Sequence, residues 1–177
     1  MIKKGFIGIC IFLLVISIAA AADLSQFPQM FVRAGKADVV IIIGKAAGAE
    51  DVIGAIDVVT MLQYVTGQNR QLEIARLDSE IEDLYAQNSI VVGGPCANAA
   101  AARLLGFPKN CLKGFEVGSG IIKLFEFQTG MKSILVAGMT AVDTRRAATV
   151  LASYDDYNLT GTEMRVSGVS LTDVYIN

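Results

Sequence analysis

Three short apolar runs, each ending at glycine and followed by a helical pattern, most strongly constrain the fold of this chain. They cover 39–43, 90–92 and 134–137. Continuous β-branched runs of this length are typical of strands that are buried on both faces of a sheet. Strands separated by helices pair in parallel. The sequence therefore predicts an α/β three-layer sandwich with a mostly parallel, Rossmann-like sheet, and its 177 residues suit a single domain.

A helix is predicted after each of these runs. Apolar residues recur at helical spacing over 50–66, and an alanine-rich helix that can pack closely on a sheet is predicted over 96–105. Thr140 and Asp143 form a Thr-x-x-Asp capping box. This box predicts the start of a third helix over 143–154.

Further strands make the predicted sheet mixed. Residues 121–127 alternate as a strand, and the Thr-Gly pair at 129–130 predicts a hairpin into a strand over 133–138. A hairpin pairs its strands in antiparallel fashion. Weaker signals predict strands near 71–77 and over 162–170.

The first 22 residues have the pattern of a secretory signal peptide. Lys3 and Lys4 precede an apolar run over 5–22 that ends in four alanines. A basic start, an apolar stretch and small residues at the cleavage site define such signals. Cleavage after Ala22 would leave a domain over 23–177, and the loss of two lysines from a chain of net charge −2 would give it a formal charge of −4. We therefore expect a secreted or cell-surface protein.

Two other interpretations of this segment stay open. The apolar run approaches the ~20 residues that span a bilayer, so it can instead remain as a membrane anchor. Lys4 and Gly5 before Phe6 also resemble a type IV prepilin cleavage site, which would leave a pilin-like filament subunit. Membrane contact is predicted only where the segment is retained.

The composition excludes several classes of function. The chain has no histidine, and so lacks the commonest general base and zinc ligand. A net charge of −2 argues against nucleic-acid binding, which normally uses a basic face. No haem, zinc or iron–sulfur motif is present. We predict a protein that is not an enzyme and needs no cofactor or metal.

Two cysteines lie in the predicted mature domain. Cys96 and Cys111 are an even pair in a chain predicted to be exported, so a disulfide is expected. The helix after Cys96 is about 15 Å long, and the five residues that return to Cys111 can span roughly 17 Å. Two buried thiols are the alternative interpretation.

The loops that follow the three apolar strands are candidate ligand loops. They contain Gly44, Gly94 and Gly138. α/β proteins bind ligands at the carboxyl ends of strands, and these glycines could offer backbone amides there. Neither the P-loop nor the dinucleotide-binding glycine spacing is present, so glycines required by tight turns and close packing are the simpler interpretation.

A charged group at the start of the third helix has two interpretations. Asp143, Arg145 and Arg146 fit the solvated first turn of a capped helix, or a polar cluster that binds an anion.

One triplet is a candidate modification site. Asn158 begins an Asn-Leu-Thr sequon in a polar loop, which makes it a possible glycosylation site in an exported protein.

Several sequence blocks together resemble a known family. The blocks are 37–44, 51–57, 90–98 with Cys111, 120–124, 134–138 and 143–148. As a set they resemble the archaeal S-layer protein family of methanogens and DPANN-type archaea, and the likeness covers most of 37–157. In that family the α/β module is usually split by a long insertion and followed by β-sandwich domains. This chain therefore resembles a short, single-module version.

The resemblance implies a secreted structural protein of the cell envelope. It implies self-association or binding to other S-layer or envelope proteins, and it carries over no catalytic residues. Cys96 and Cys111 occupy positions where the family can carry cysteines, which supports the disulfide. An extracellular module that binds a small ligand or wall polymer through the loops after Gly44, Gly94 and Gly138 is the alternative function.

Overall fold

A mixed seven-stranded sheet forms the centre of the computed structural model, which describes residues 21–68, 74–171 and 173–176. In chain order the strands are β1 (Val32–Arg33), β2 (Lys36–Ala37), β3 (Val40–Ile43), β4 (Ala75–Leu77), β5 (Ser89–Val92), β6 (Ser119–Glu126), β7 (Lys132–Gly138), β8 (Glu163–Gly168) and β9 (Val174–Ile176). The helices are α1 (Ala49–Val65), α2 (Ala99–Leu104) and α3 (Ala141–Ala152). Short 3-10 segments cover Leu24–Gln26, Gln29–Phe31, Asp78–Glu80 and Leu84–Ala86.

The strand order of the main sheet is β4-β3-β5-β7-β6-β8-β9. Strands β4, β3, β5 and β7 run parallel, whereas β6 is antiparallel to both β7 and β8, and β9 is antiparallel to β8. β1 and β2 form a separate antiparallel pair. The predicted α/β fold with a mixed sheet is confirmed.

Side chains that alternate along the central strands build two apolar layers. Ile41, Ile90 and Ile134 are in register and pack in the same cluster as buried residues of α1 and α3. Their neighbours along each strand point to the other face, where they pack with Ala100 and Ala101 of α2. Helices therefore cover both faces of the sheet, and the three-layer arrangement is confirmed.

The starts of the helices follow from their caps. The predicted capping box of α3 is formed, because Thr140 Oγ1 accepts from the Asp143 amide at 3.2 Å and Asp143 Oδ2 accepts from the Thr140 amide at 3.2 Å. The prediction that the second helix starts at Cys96 is wrong. Asn98 is the N-cap, with Oδ1 accepting from the Ala100 amide at 2.9 Å, so the helix begins at Ala99.

The chain before β1 packs into the core. Leu24, Phe27 and Phe31 are buried in the same layer as α1 and α3. The rings of Phe27 and Tyr154 pack in a T-shaped arrangement with 5.8 Å between their centroids. The predicted signal peptide lies outside the described residues except for its last two alanines, as does the 71–73 part of the strand predicted near 71–77. Within the described part of the chain, no helix is long and apolar enough to cross a membrane.

Candidate functional site

The loops after β3, β5 and β7 lie at one edge of the sheet because these strands are parallel. Gly94 and Gly138 line a cavity of about 70 Å³ at this edge, together with Asp51, Leu112 and Thr144 among others. Gly44 does not line it and packs instead against the Ala97 backbone. The structure thus brings together two of the three predicted ligand loops.

Close backbone packing accounts for the glycines at this edge. A Cβ atom on Gly138 would lie 2.4 Å from the Cβ of Asp143, and one on Gly94 would lie 2.9 Å from the Gly138 carbonyl oxygen. Real Cβ atoms do not come this close to their neighbours, because atoms at such distances overlap and repel each other. These glycines let the loops touch each other and the start of α3.

Asn98 joins the ends of two strands to the start of α2. It is buried, and its Nδ2 donates to the carbonyl oxygens of Ile42 at 3.2 Å and Val92 at 2.9 Å. Sequence reasoning missed this role, although an asparagine directly before an alanine run is a recognisable N-cap signal. The side chain therefore satisfies backbone groups that would otherwise be buried without a partner.

Asp78 is a second side chain that joins separate segments at the same edge. Its Oδ1 accepts from the Lys45 amide at 2.9 Å, and its Oδ2 accepts from the Ala99 amide at 2.7 Å. One carboxylate thus ties the loop after β3 to the first turn of α2. No local sequence signal marks this role, because both partners are distant along the chain.

Asp51, at this edge, has a buried polar atom without a partner. It is only 3% exposed, and its Oδ2 accepts from the Gly48 amide at 3.0 Å at the start of α1. Its Oδ1 is buried and has no hydrogen-bond partner, and the side chain lines the 70 Å³ cavity. A buried polar atom of this kind calls for a donor such as ordered water. The cavity has room for a few water molecules.

Among residues 21–68, 74–171 and 173–176, no three or more histidine, cysteine or acidic side chains are grouped so that they could hold a metal ion. Hard cations require several oxygen ligands.

The charged group at the start of α3 is a structural cluster. Arg146 is buried, and its Nη1 donates to Asp143 Oδ1 at 2.8 Å and to the Gly118 carbonyl at 3.2 Å, while its Nε donates to the Ser170 carbonyl at 3.1 Å. Arg145 pairs with Glu50 of α1. The interpretation of a solvated first turn is therefore wrong, because Asp143 and Arg146 are both buried and bind the protein itself.

Cys96 and Cys111 form the expected disulfide, with 5.2 Å between their Cα atoms. The bond closes the segment that contains α2 and the loop after it. The pair indicates an oxidising environment, since structural disulfides are rare in reducing compartments.

Asn158 is exposed in the loop between α3 and β8. An enzyme that attaches a glycan can therefore reach it, and its glycosylation stays a prediction.

At the start of the described chain, hydrogen bonds stabilise the charged form of one acid. Asp23 Oδ1 accepts from the Ser25 amide at 2.8 Å, and Oδ2 accepts from the Gly161 amide at 2.8 Å. Hydrogen bonds from Ser25, and to a smaller extent from Gly161, lower the pKa of the Asp23 carboxyl below its usual 3.8.

Comparison with protein-family models and with curated proteins gives no match for this sequence.

Proposed function

We propose that this chain is an exported, non-enzymatic protein of the cell surface with a structural role in assembly of the envelope, similar to the core module of archaeal S-layer proteins. The observation that carries the proposal is the Cys96–Cys111 disulfide. A disulfide persists where no thiol buffer reduces it, outside the cytosol. The apolar segment after Lys3 and Lys4 supplies a route to that compartment.

The polar residues at the carboxyl edge favour a structural role. The side chains of Asn98 and Asp78 form hydrogen bonds with the backbone of neighbouring segments. Arg146 does the same at the start of α3. Catalytic groups differ, because they direct polar atoms towards a space that a substrate can enter. Rigid loops are what a building block of a surface layer requires.

Exposed apolar side chains offer surfaces for assembly. Tyr64 is 86% exposed, and Val117 and Val169 are also strongly exposed on other parts of the described structure. Ile56 lies on the solvent-facing side of α1 and is more than half exposed. Burial of such side chains against a partner would favour association.

Assembly of purified protein tests this proposal. The full chain would be produced with export, recovered from outside the cells and examined by size-exclusion chromatography and negative-stain electron microscopy, with and without isolated envelopes. We expect sheets, rings or binding to envelopes. A protein that stays strictly monomeric and does not bind envelopes would contradict the proposal.

One observation favours the second candidate function, an extracellular binding module at the carboxyl edge. Asp51 lines the cavity beside Gly94 and Gly138, and its buried Oδ1 has no hydrogen-bond partner in the described structure. At about 70 Å³ the cavity limits a ligand there to one small donor group, such as ammonium or a single sugar hydroxyl. Thermal-shift titrations with ammonium, methylamine and neutral sugars test it. Shifts that Asp51→Asn abolishes would support this function, and flat curves for the wild-type protein would exclude it.

A further inference from the structure

A larger concave surface lies away from the carboxyl edge, and we call it the basic cleft. It is a cavity of about 650 Å³ between the segment 105–115 and the strands β6 and β8. Four cations line it, Lys109, Lys113, Lys123 and Arg165, against the single acid Glu163. The lining therefore carries a net charge of +3, whereas residues 23–177 together carry −4. A cleft whose lining is mainly of one charge strengthens the local electrostatic potential and concentrates ligands of the opposite charge.

Two of these cations are free to bind a ligand. Lys109 and Lys113 are exposed, and neither forms an ion pair within the described part of the chain. Lys123 is paired with Glu163 at 2.7 Å. An exposed ammonium group with no partner adds its whole charge to the attraction of an anion.

Arg165 is only weakly satisfied. Its Nη1 is buried without a hydrogen bond, and the nearest acid, Glu116, holds its Oε1 3.8 Å away. Its Nη2 donates to the Gly114 carbonyl in a long hydrogen bond of 3.4 Å. Arg165 therefore adds a positive charge to the lining of the cleft, while the two free lysines are the groups that can contact a ligand.

The wall that carries the two free lysines is held in place. The disulfide fixes Cys111, which lies between Lys109 and Lys113, to Cys96. At the other end of the wall, the Phe107 amide donates to the Ala102 carbonyl at 2.7 Å and ends α2. The backbone that carries these lysines is therefore already fixed and loses little freedom on binding, which favours affinity.

The shape and the lining favour a chain of charged sugars. The cleft is partly open to solvent and has room for more than one sugar ring, and Phe115 and Ile121 line it with apolar surface. Pyranose rings have apolar faces that pack on such side chains, and the Asn110 amide can bind hydroxyl groups. We propose that the basic cleft binds an anionic polysaccharide of the cell envelope, with Lys109 and Lys113 contacting its carboxylate groups. This inference rests on the proposed surface function, because an exported protein meets such polymers there.

Calorimetric titration with polygalacturonate oligomers tests the inference, with dextran of similar length as the neutral control. The oxidised protein should bind the polyuronate and not the dextran, and binding should weaken between 50 and 300 mM NaCl, because salt screens exposed charges. The variant Lys109→Gln/Lys113→Gln should lose about tenfold in affinity. The matched variant Lys36→Gln/Lys45→Gln removes two exposed lysines outside the cleft and should bind within about twofold of wild type. Circular dichroism and melting curves establish that both variants are folded.

Three results would overturn the inference. The first is absence of binding by the folded wild type. The second is an equal loss in both double variants, which would indicate only non-specific attraction. The third is equally tight binding, through the same lysines, of single-stranded DNA or of vesicles rich in phosphatidylglycerol, which would assign the cleft to another class of ligand. None of these bears on export or assembly, so the proposed function is judged separately.

Discussion

A Cβ atom on Gly44 would lie 2.2 Å from the carbonyl oxygen of Ala97. The Ala46 amide donates to that same oxygen at 3.3 Å. The loop after β3 and the turn before α2 therefore touch through their backbones. Gly44 has no positive φ, so close approach and not turn geometry requires a glycine there.

The variant Gly44→Ala should destabilise the fold by about 2–3 kcal/mol, because the methyl group must displace backbone atoms that cannot move independently. Gly130→Ala is the control. Gly130 has a positive φ and open space around its Cβ position, so the cost there is backbone strain alone, about 1 kcal/mol. Urea denaturation measures both changes. Equal changes in the two variants would contradict the packing at Gly44.

Arg146 and its neighbour Arg145 should differ sharply in their contribution to stability. Arg146→Met leaves the buried Asp143 carboxylate without its charged partner and should cost about 3–5 kcal/mol. Arg145→Met breaks a partly exposed pair with Glu50 and should cost less than about 1 kcal/mol. Free energies of unfolding measured in urea test this order. A larger loss of stability in Arg145→Met than in Arg146→Met would contradict it.

Removal of the disulfide should weaken the fold. In the chain-entropy model, a bond that closes a loop with a sequence separation of 15 contributes about 3 kcal/mol. We expect Cys96→Ser/Cys111→Ser to be less stable by this amount and to be insensitive to reductant, whereas reductant should destabilise the wild-type domain to the same level. If the wild-type thiols react with Ellman's reagent before reduction, the bond is not formed.

The acid Asp23 should make stability depend on pH. Hydrogen bonds from Ser25 and Gly161 hold its pKa below 3.8 in the folded state, so the ionised form stabilises the fold at higher pH. This contribution is present above about pH 4 and is lost as the pH falls through the lowered pKa. The stability difference between wild type and Asp23→Asn should thus shrink towards zero near pH 2. Urea denaturation at several pH values measures it, and a difference that is constant with pH would contradict it.

Local patterns in the sequence were sufficient to predict the central strands and the capped helix α3. The prediction for 39–43 agrees with β3 to within one residue, because a buried parallel strand needs an unbroken apolar run. The Thr140–Asp143 box is likewise contained in four residues. Short-range signals of this kind do not depend on the rest of the fold.

The roles of Arg146 and Asp78 were not predictable in this way. The backbone partners of Arg146 at Gly118 and Ser170 are 28 and 24 residues away, and those of Asp78 are 33 and 21 residues away. Such contacts exist only after the sheet has brought the loops together. The basic cleft is non-local in the same sense, because segment 105–115 meets β6 and β8 only in the folded protein.

Export is the central claim, and the N-terminus of the protein recovered from outside the cell tests it most directly. Edman sequencing, combined with an intact mass before and after reduction, should give a chain that begins at Asp23 with Cys96 and Cys111 oxidised. A chain that begins at Phe6 would indicate a pilin-like subunit. A protein found only inside the cell, with Met1 or Ile2 at its start and free thiols, would contradict the proposed function.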